Sequence, residues 1–243
     1  MTLEPIAHFH SPFATKFGVP KQSGIVEALR GTIVFVPAYR NADALRGIDA
    51  FDFLWLIWAF HANKHAAHSP MVRPPRLGGN QRVGVFASRS PFRPNPLGLS
   101  SVQLERVEWE SPQGPVLHVR GADLMDGTPI FDIKPYIHYA DSEPEAISGF
   151  AQEKPQAKLS VTFLPEAEQA VKKAKNFAKF GINQPLAFIH DVIAQDPRPA
   201  YQQGKKSDRI YGMNLAGYNV RWKIDEQDLT KAVVIALDNT KFT

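Results

Sequence analysis

Fourteen of the twenty prolines in this chain lie before residue 140. Proline holds φ near about −65° and has no backbone N–H, so it breaks helix interiors and is confined to turns, strand ends and edges. A long helix is therefore excluded from most of the first half, and short strands joined by stiff turns remain. The apolar pattern predicts strands at Ile6–His10, Thr32–Val36, Phe53–Phe60, Arg82–Ala87, Val102–Glu110, Val116–Arg120 and Ile130–Ile133. Phe53–Phe60 is apolar throughout and would also suit a buried helix, but its length and aromatic content favour a strand covered on both faces. In Val102–Glu110 the apolar phase shifts between Leu104 and Val107, as a β-bulge requires. Asn41 is placed to cap one short helix. Strands at irregular spacing with turn signals between them fit an antiparallel barrel or a sandwich.

The style changes after an acidic, turn-rich linker at Ala140–Pro155. A strand is predicted at Leu159–Leu164. A helix follows at Glu166–Phe180, with an apolar stripe at Ala170, Val171, Ala174 and Phe177. A second helix spans Pro185–Gln195, with proline in the first turn where it is tolerated. Tyr218, Val220, Trp222 and Ile224 alternate as a half-buried strand, and Ala232–Leu237 is another. The expected fold is mainly β with an α+β part. Residues 1–145 form a small β domain and residues 156–243 a smaller α+β domain, a division that 243 residues can support.

Charge placement narrows the partner. From Phe53 to Leu104 there is no Asp or Glu, while Lys64, Arg73, Arg76, Arg82, Arg89 and Arg93 all fall there. That window carries +6 and the rest of the chain −2, within a formal net charge of only +4. Arginine pairs with phosphate through a planar fork, so the field points to a polyanion, with RNA or DNA first. Pairing with distant carboxylates after folding would instead neutralise it. With no cysteine, disulfides, thiol catalysis and Cys-ligated metal sites are excluded. The longest apolar run is far short of the ~20 residues that span a bilayer. The start lacks a basic segment followed by an apolar one, so a cytoplasmic protein without a membrane segment is expected.

Several motifs carry chemistry, each with a plainer reading beside it. In Arg93-Pro94-Asn95-Pro96-Leu97-Gly98-Leu99-Ser100 two prolines stiffen a loop that presents Arg and Asn; a rigid entry to a strand would look the same. Asp123-Leu124-Met125-Asp126-Gly127 sets two carboxylates three apart before a turn glycine, suited to a cationic ligand or to solvation alone. Asp132 and Lys134 share a strand face and suit each other. Val72–Asn80 reads as an extended basic loop. Asp196-Pro197-Arg198-Pro199-Ala200-Tyr201 offers an Arg and an aromatic, the tools of RNA recognition, or a plain interhelical loop. Lys172, Lys175 and Lys179 share one helix face, solvated or RNA-facing. His61, His65 and His68 have ligand-like spacing but no acidic neighbour, and no metal site is expected. There is no Gly-x-Gly-x-x-Gly after a strand, no Walker loop and no Ser-His-Asp elbow.

Taken in order along the whole chain, Val19–Gln22, Val72–Asn80, Gly84–Ser90, Arg93–Ser100, Asp126–Ile130, Asp132–Tyr136 and Asp196–Tyr201 resemble the YaeB/TrmO family. Its bacterial members are tRNA methyltransferases. The resemblance implies a small antiparallel β-barrel rather than a Rossmann sheet, a homodimer, and S-adenosylmethionine as methyl donor. The implied acceptor is N6 of threonylcarbamoyladenosine, next to the anticodon of threonine tRNA, so the partner is that tRNA's anticodon arm. By resemblance, the cofactor pocket takes Pro20, Lys21, Gln22, His61, Ala62, Arg89, Leu99, Asp123, Leu124, Met125 and Asp126. Relatives often carry Gln where Ala62 stands, and Ala62 offers only backbone. The acceptor proton needs a base, for which Asp126 is the candidate. Arg73, Arg76, Arg93, Asn95, Arg198 and Tyr201 are the expected tRNA contacts. The competing reading is a non-enzymatic RNA-binding β-barrel module.

Overall fold

The structure, a computed structural model, describes residues 2–63 and 69–240. Lys64, His65 and His68 lie outside the described residues. The first half is a closed six-stranded antiparallel barrel. Its strands are β1 (Ala7–His10), β2 (Arg30–Phe35), β3 (Phe53–Ala59), β6 (Leu97–Glu108), β7 (Val116–Arg120) and β8 (Thr128–Pro135), in the order β1-β2-β7-β6-β3-β8. A two-stranded ribbon, β4 (Met71–Val72) with β5 (Val83–Gly84), sits in the long β3–β6 connection. Phe9, Ile33, Leu54, Leu56, Leu117 and Leu124 are fully buried in the barrel core.

Strand β3 has one covered face rather than two. Leu54, Leu56 and Trp58 point into the barrel, while Phe53 on the outer face remains 41% exposed. The shift in β6 falls between Leu104 and Arg106, where the residues predicted a bulge. The cap at Asn41 also forms, its side chain accepting the Asp43 N–H at 2.9 Å, although the helix is a single 3-10 turn. Arg82–Ala87 departs from expectation. Only Val83 and Gly84 pair as a strand, and Val85–Ala87 form a 3-10 turn whose first N–H donates to Pro70 O.

The second half packs helices on a four-stranded sheet. Its strands are β9 (Ser160–Phe163), β10 (Tyr211–Leu215), β11 (Tyr218–Ile224) and β12 (Lys231–Asn239), in the order β10-β11-β12-β9 with β9 parallel to β12. A single helical turn, α1 (His138–Asp141), leads out of the barrel, and α2 (Pro165–Lys173) and α3 (Pro185–Ala194) belong to this half. The long helix expected at Glu166–Phe180 is interrupted. Ala174 takes an extended backbone, and Asn176–Phe180 forms a separate 3-10 segment. The break lets Phe177 turn into the core against Phe188, ring centroids 6.2 Å apart. Lys172, Lys175 and Lys179 therefore do not share a helix face.

The two halves meet through residues 12–29. Phe13, Val26 and Leu29 leave the barrel and are buried in the core built on β10–β12. Pro12 O accepts the Ala216 N–H at 2.7 Å, and Phe13 bridges to Leu215. Gly18, at φ +94°, passes so close to Met213 that a Cβ would strike its sulfur. No helix among the described residues is long and apolar enough to cross a membrane.

Candidate active site

The site is assembled where the loop between β7 and β8 crosses the barrel end. Trp58 is turned into the barrel, and Gly98 opposite it has no side chain because a Cβ would run into the indole. Trp58 Nε1 donates to Ser100 Oγ at 3.0 Å, and Ser100 Oγ donates to Asp123 Oδ1 at 2.6 Å. Burial pushes the Asp123 carboxyl above the usual carboxylate range, against the Ser100 hydrogen bond, its own backbone N–H and the Arg89 charge. Leu124 beside it is fully buried. Asp123 and Leu124 are thus the inner anchor of the loop.

Asp126 is the outer anchor. Its backbone N–H donates to Phe13 O at 2.9 Å, and the Gly127 N–H donates to Phe9 O at 2.8 Å. The Ser11 N–H donates to Asp126 Oδ1 at 3.1 Å, and His10 Nδ1 lies 3.4 Å from the same oxygen. Partial burial alone would push the Asp126 carboxyl up, but the bonds from His10 and Ser11 outweigh it and hold it below the usual range. His10 shifts in the complementary direction, raised by Asp126 against partial burial. His61 responds to the Asp126 charge, although burial keeps its imidazole below the ordinary histidine value.

Arg89 donates to Gln22 Oε1 at 2.6 Å and its charge acts on Asp123. Lys16 hydrogen-bonds Asn63, tying the loop after β1 to the turn that carries His61 and Ala62. Gln22, His61, Arg89, Asp123 and Asp126 are thereby linked into one neighbourhood. Four expected residues stand apart from it. Leu124 is sealed in the barrel core and cannot wall an adenine pocket. Leu99 alternates with Ser100 and faces outward, 57% exposed. Lys21, with Pro20, lines a cleft of about 260 Å³ between the halves, together with Arg76, Lys158 and Asp196. Partial burial and the Lys158 charge there hold its ammonium below the usual lysine range.

The expected tRNA contacts divide similarly. Arg73, Asn95 and Tyr201 are exposed. Arg93 donates to Ser88 O at 3.1 Å and stiffens its own loop. Arg76 donates to the backbone carbonyls of Ala151 and Glu153. Arg198 is only 2% exposed and forms a fork with Asp196, at 2.7 and 2.8 Å. It cannot reach a phosphate and instead braces the loop that carries Tyr201. Asp132 and Lys134 do pair with each other, at 3.0 Å. Among the described residues no cluster could hold a metal ion. Sequence reasoning missed Trp58, Ser100 and His10 as parts of the site. Ser100 stood inside a quoted motif and His10 at a predicted strand end, but nothing in one dimension joined them to the two aspartates.

A carboxylate held ionised at Asp126 and a guanidinium at Arg89 in one neighbourhood are chemically suited to a ligand that carries both a cation and a carboxylate. Comparison with known proteins gives the class and the family. By class, the chain is a methyltransferase built on a β-barrel. The family model for the tRNA-methyltransferase O N-terminal domain matches residues 8–142, and that for the TrmO C-terminal domain matches residues 156–239. The chain belongs to the TrmO family. It is 42% identical over 224 residues to the tRNA (adenine(37)-N6)-methyltransferase of Escherichia coli K12, covering 92% of this chain and 93% of that one. It is 38% identical over 236 residues to a putative S-adenosylmethionine-dependent methyltransferase, RcsF, of Pseudomonas aeruginosa, covering 97% of each. A crystal structure of TrmO from P. aeruginosa superposes with a TM-score of 0.78 at 30% identity, over 98% of this chain and 97% of that one.

The raised Asp123 has a consequence for stability. Its folded-state proton is held more tightly than in the unfolded chain, so stability falls as pH rises from the ordinary carboxylate value of 3.8 through the raised one. Asp123→Asn keeps an acceptor oxygen for Ser100 and removes the titration. Urea denaturation at a series of pH values should show the variant gaining on the wild type across that interval; a pH-independent difference would refute the assignment.

Proposed function

We propose that this chain transfers a methyl group from S-adenosylmethionine to N6 of adenosine 37 in tRNA, the acceptor being threonylcarbamoyladenosine in threonine tRNA. One observation carries the reading. An ionised carboxylate, Asp126, is pinned at the barrel mouth beside a segment rich in arginine and free of acidic residues. The E. coli relative named above aligns over nine-tenths of the chain and supports N6 methylation of adenine 37 in tRNA.

When bound, the donor supplies a methyl group activated by a cationic sulfur. The chain's own groups orient the reactants, and orientation supplies much of the rate in an in-line displacement. Arg89 and Gln22 are the pair that would hold the donor's polar end, with Asp126 facing the sulfonium and the acceptor N6–H. A carboxylate held below its usual range is a weak base. It therefore suits the more acidic N6–H that lies between a purine and a carbonyl better than a plain exocyclic amine. Arg73, Asn95 and Tyr201 supply exposed charge, hydrogen bonding and a stacking face for the anticodon arm.

A homodimer fits the outer barrel face. Phe53, Trp55 and Tyr136 cluster there, with ring centroids 6.1 and 5.8 Å from Tyr136, and Leu99 lies exposed on β6, which pairs with β3. Covering that face would bury apolar surface left in water. Light scattering should give about twice the 27.1 kDa chain mass; a monomer at micromolar concentration would oppose it. The reaction is assigned to the cytoplasm, where the tRNA is.

The decisive experiment is nucleoside mass spectrometry of threonine tRNA from a strain lacking the gene. The methylated nucleoside should be absent, restored by the wild type, and not restored by Asp126→Asn even at donor concentrations at which calorimetric titration shows that variant, with its weakened affinity, to be saturated. Donor binding without methylation by the wild type would sink the acceptor assignment; no donor binding would favour the RNA-binding module. Separately, Arg73→Ala should weaken tRNA binding and lower the salt slope by about one. An unchanged slope would remove Arg73 from the interface.

A further inference from the structure

We propose that His10 is a positioning residue whose protonated ring holds the Asp126 carboxylate ionised and fixed at the barrel mouth. The proposal rests on the role given to Asp126 above and adds the group through which that role depends on pH.

The geometry follows from the alternation of β1. Ala7 and Phe9 are fully buried inside the barrel, so His8 and His10 face outward. The chain then leaves for the second core, with Pro12 O bonded to Ala216 and Phe13 buried. His10 thus sits on a backbone clamped from both sides. The loop of Asp126 is laced to the same stretch by the Asp126 N–H to Phe13 O, the Gly127 N–H to Phe9 O and the Ser11 N–H to Asp126 Oδ1. The Ser11 bond fixes one carboxylate oxygen and the other two hold the loop backbone, but none carries a full charge. The imidazole nitrogen 3.4 Å from that oxygen is the charged partner.

The surroundings of His10 leave Asp126 as its counter-ion. On its own strand the neighbour on the same face is His8. Across β2 it faces Thr32, beyond which lies His118, already engaged by Glu108 at 2.8 Å. Thr128 and Pro129 of β8 pair with Phe9 and His8. Lys16 and His61, from the loops, act on the same neighbourhood and are not acids. Asp123 is turned to Ser100. A second acid close to the ring is thus absent among the described residues, and a proton on His10 is favoured by Asp126 alone. Losing that proton removes the charge that opposes protonation and rotation of the carboxylate.

The sign follows from the direction of the shift. His10 is raised above 6.5, so the pair is fully formed below that value and is lost as pH rises through the raised one. NMR titration of the His10 ring should give a pKa above 6.5 in the wild type and a clear fall in Asp126→Asn. Single-turnover methylation, with donor saturating, should then separate two variants whose folding is checked by circular dichroism. His10→Arg keeps a cation at every pH and should hold its rate on the alkaline side. His10→Gln should be slower at neutral pH by about tenfold, with no titration of its own. A His10 pKa indifferent to Asp126→Asn, or His10→Arg and His10→Gln profiles that superimpose, would overturn the proposal. If the titration behaves as expected while Asp126→Asn methylates normally, the pair is structural and it is the role of Asp126 that fails.

Discussion

The site depends on one loop being held at both ends. Asp123 reaches into the barrel through Ser100 to Trp58, while Asp126 is laced outside to residues 9–13. Neither anchor resembles the other physically. The inner one is a part-buried carboxyl pushed toward its neutral form, and the outer one is a half-exposed carboxylate held ionised. Two aspartates three residues apart thereby acquire different roles from environment alone, the logic by which paired carboxylates are commonly divided. Gly98 is part of the same construction, since only a missing side chain lets Trp58 lie where its N–H meets Ser100.

That loop also explains why the barrel and the second half form one working unit. Residues 9–13 both grip Asp126 and carry Phe13 into the core built on β10–β12. A disturbance of the second core therefore reaches the barrel mouth through a few bonded residues. The 260 Å³ cleft between the halves lies along the same segment, lined by Gly18–Lys21 on one side and Asp196–Pro197 on the other. The buried Arg198–Asp196 pair stiffens that wall, with Asp196 held in left-handed backbone at φ +51°. Breaking so well enclosed a pair would leave a buried charge uncompensated.

Much of the framework was legible in the residues. The phase change near Leu104, the Asn41 cap and the Pro-led α3 all appear where local chemistry demands them. Local rules failed where a neighbour in space overrode them. The α2 stripe runs on in sequence, yet the helix stops at Lys173 because Phe177 is better buried against Phe188 after a turn. Phe53–Phe60 reads as buried on both sides, yet one face of the strand remains at the surface, which is what an unfilled contact would leave.

By itself, the sequence determined that this chain would be a proline-punctuated β protein followed by an α+β half, with its basic field concentrated in one segment and its carboxylates paired before Gly127. Those properties follow from backbone restriction and residue order, which are local. Only the tertiary structure decided that Arg198 turns inward, that Leu124 is sealed while Leu99 is not, and that His10 stands against Asp126 across 115 intervening positions. Charge state and access depend on distance and burial in space, and closing the barrel brings together residues whose order along the chain says nothing of their contact.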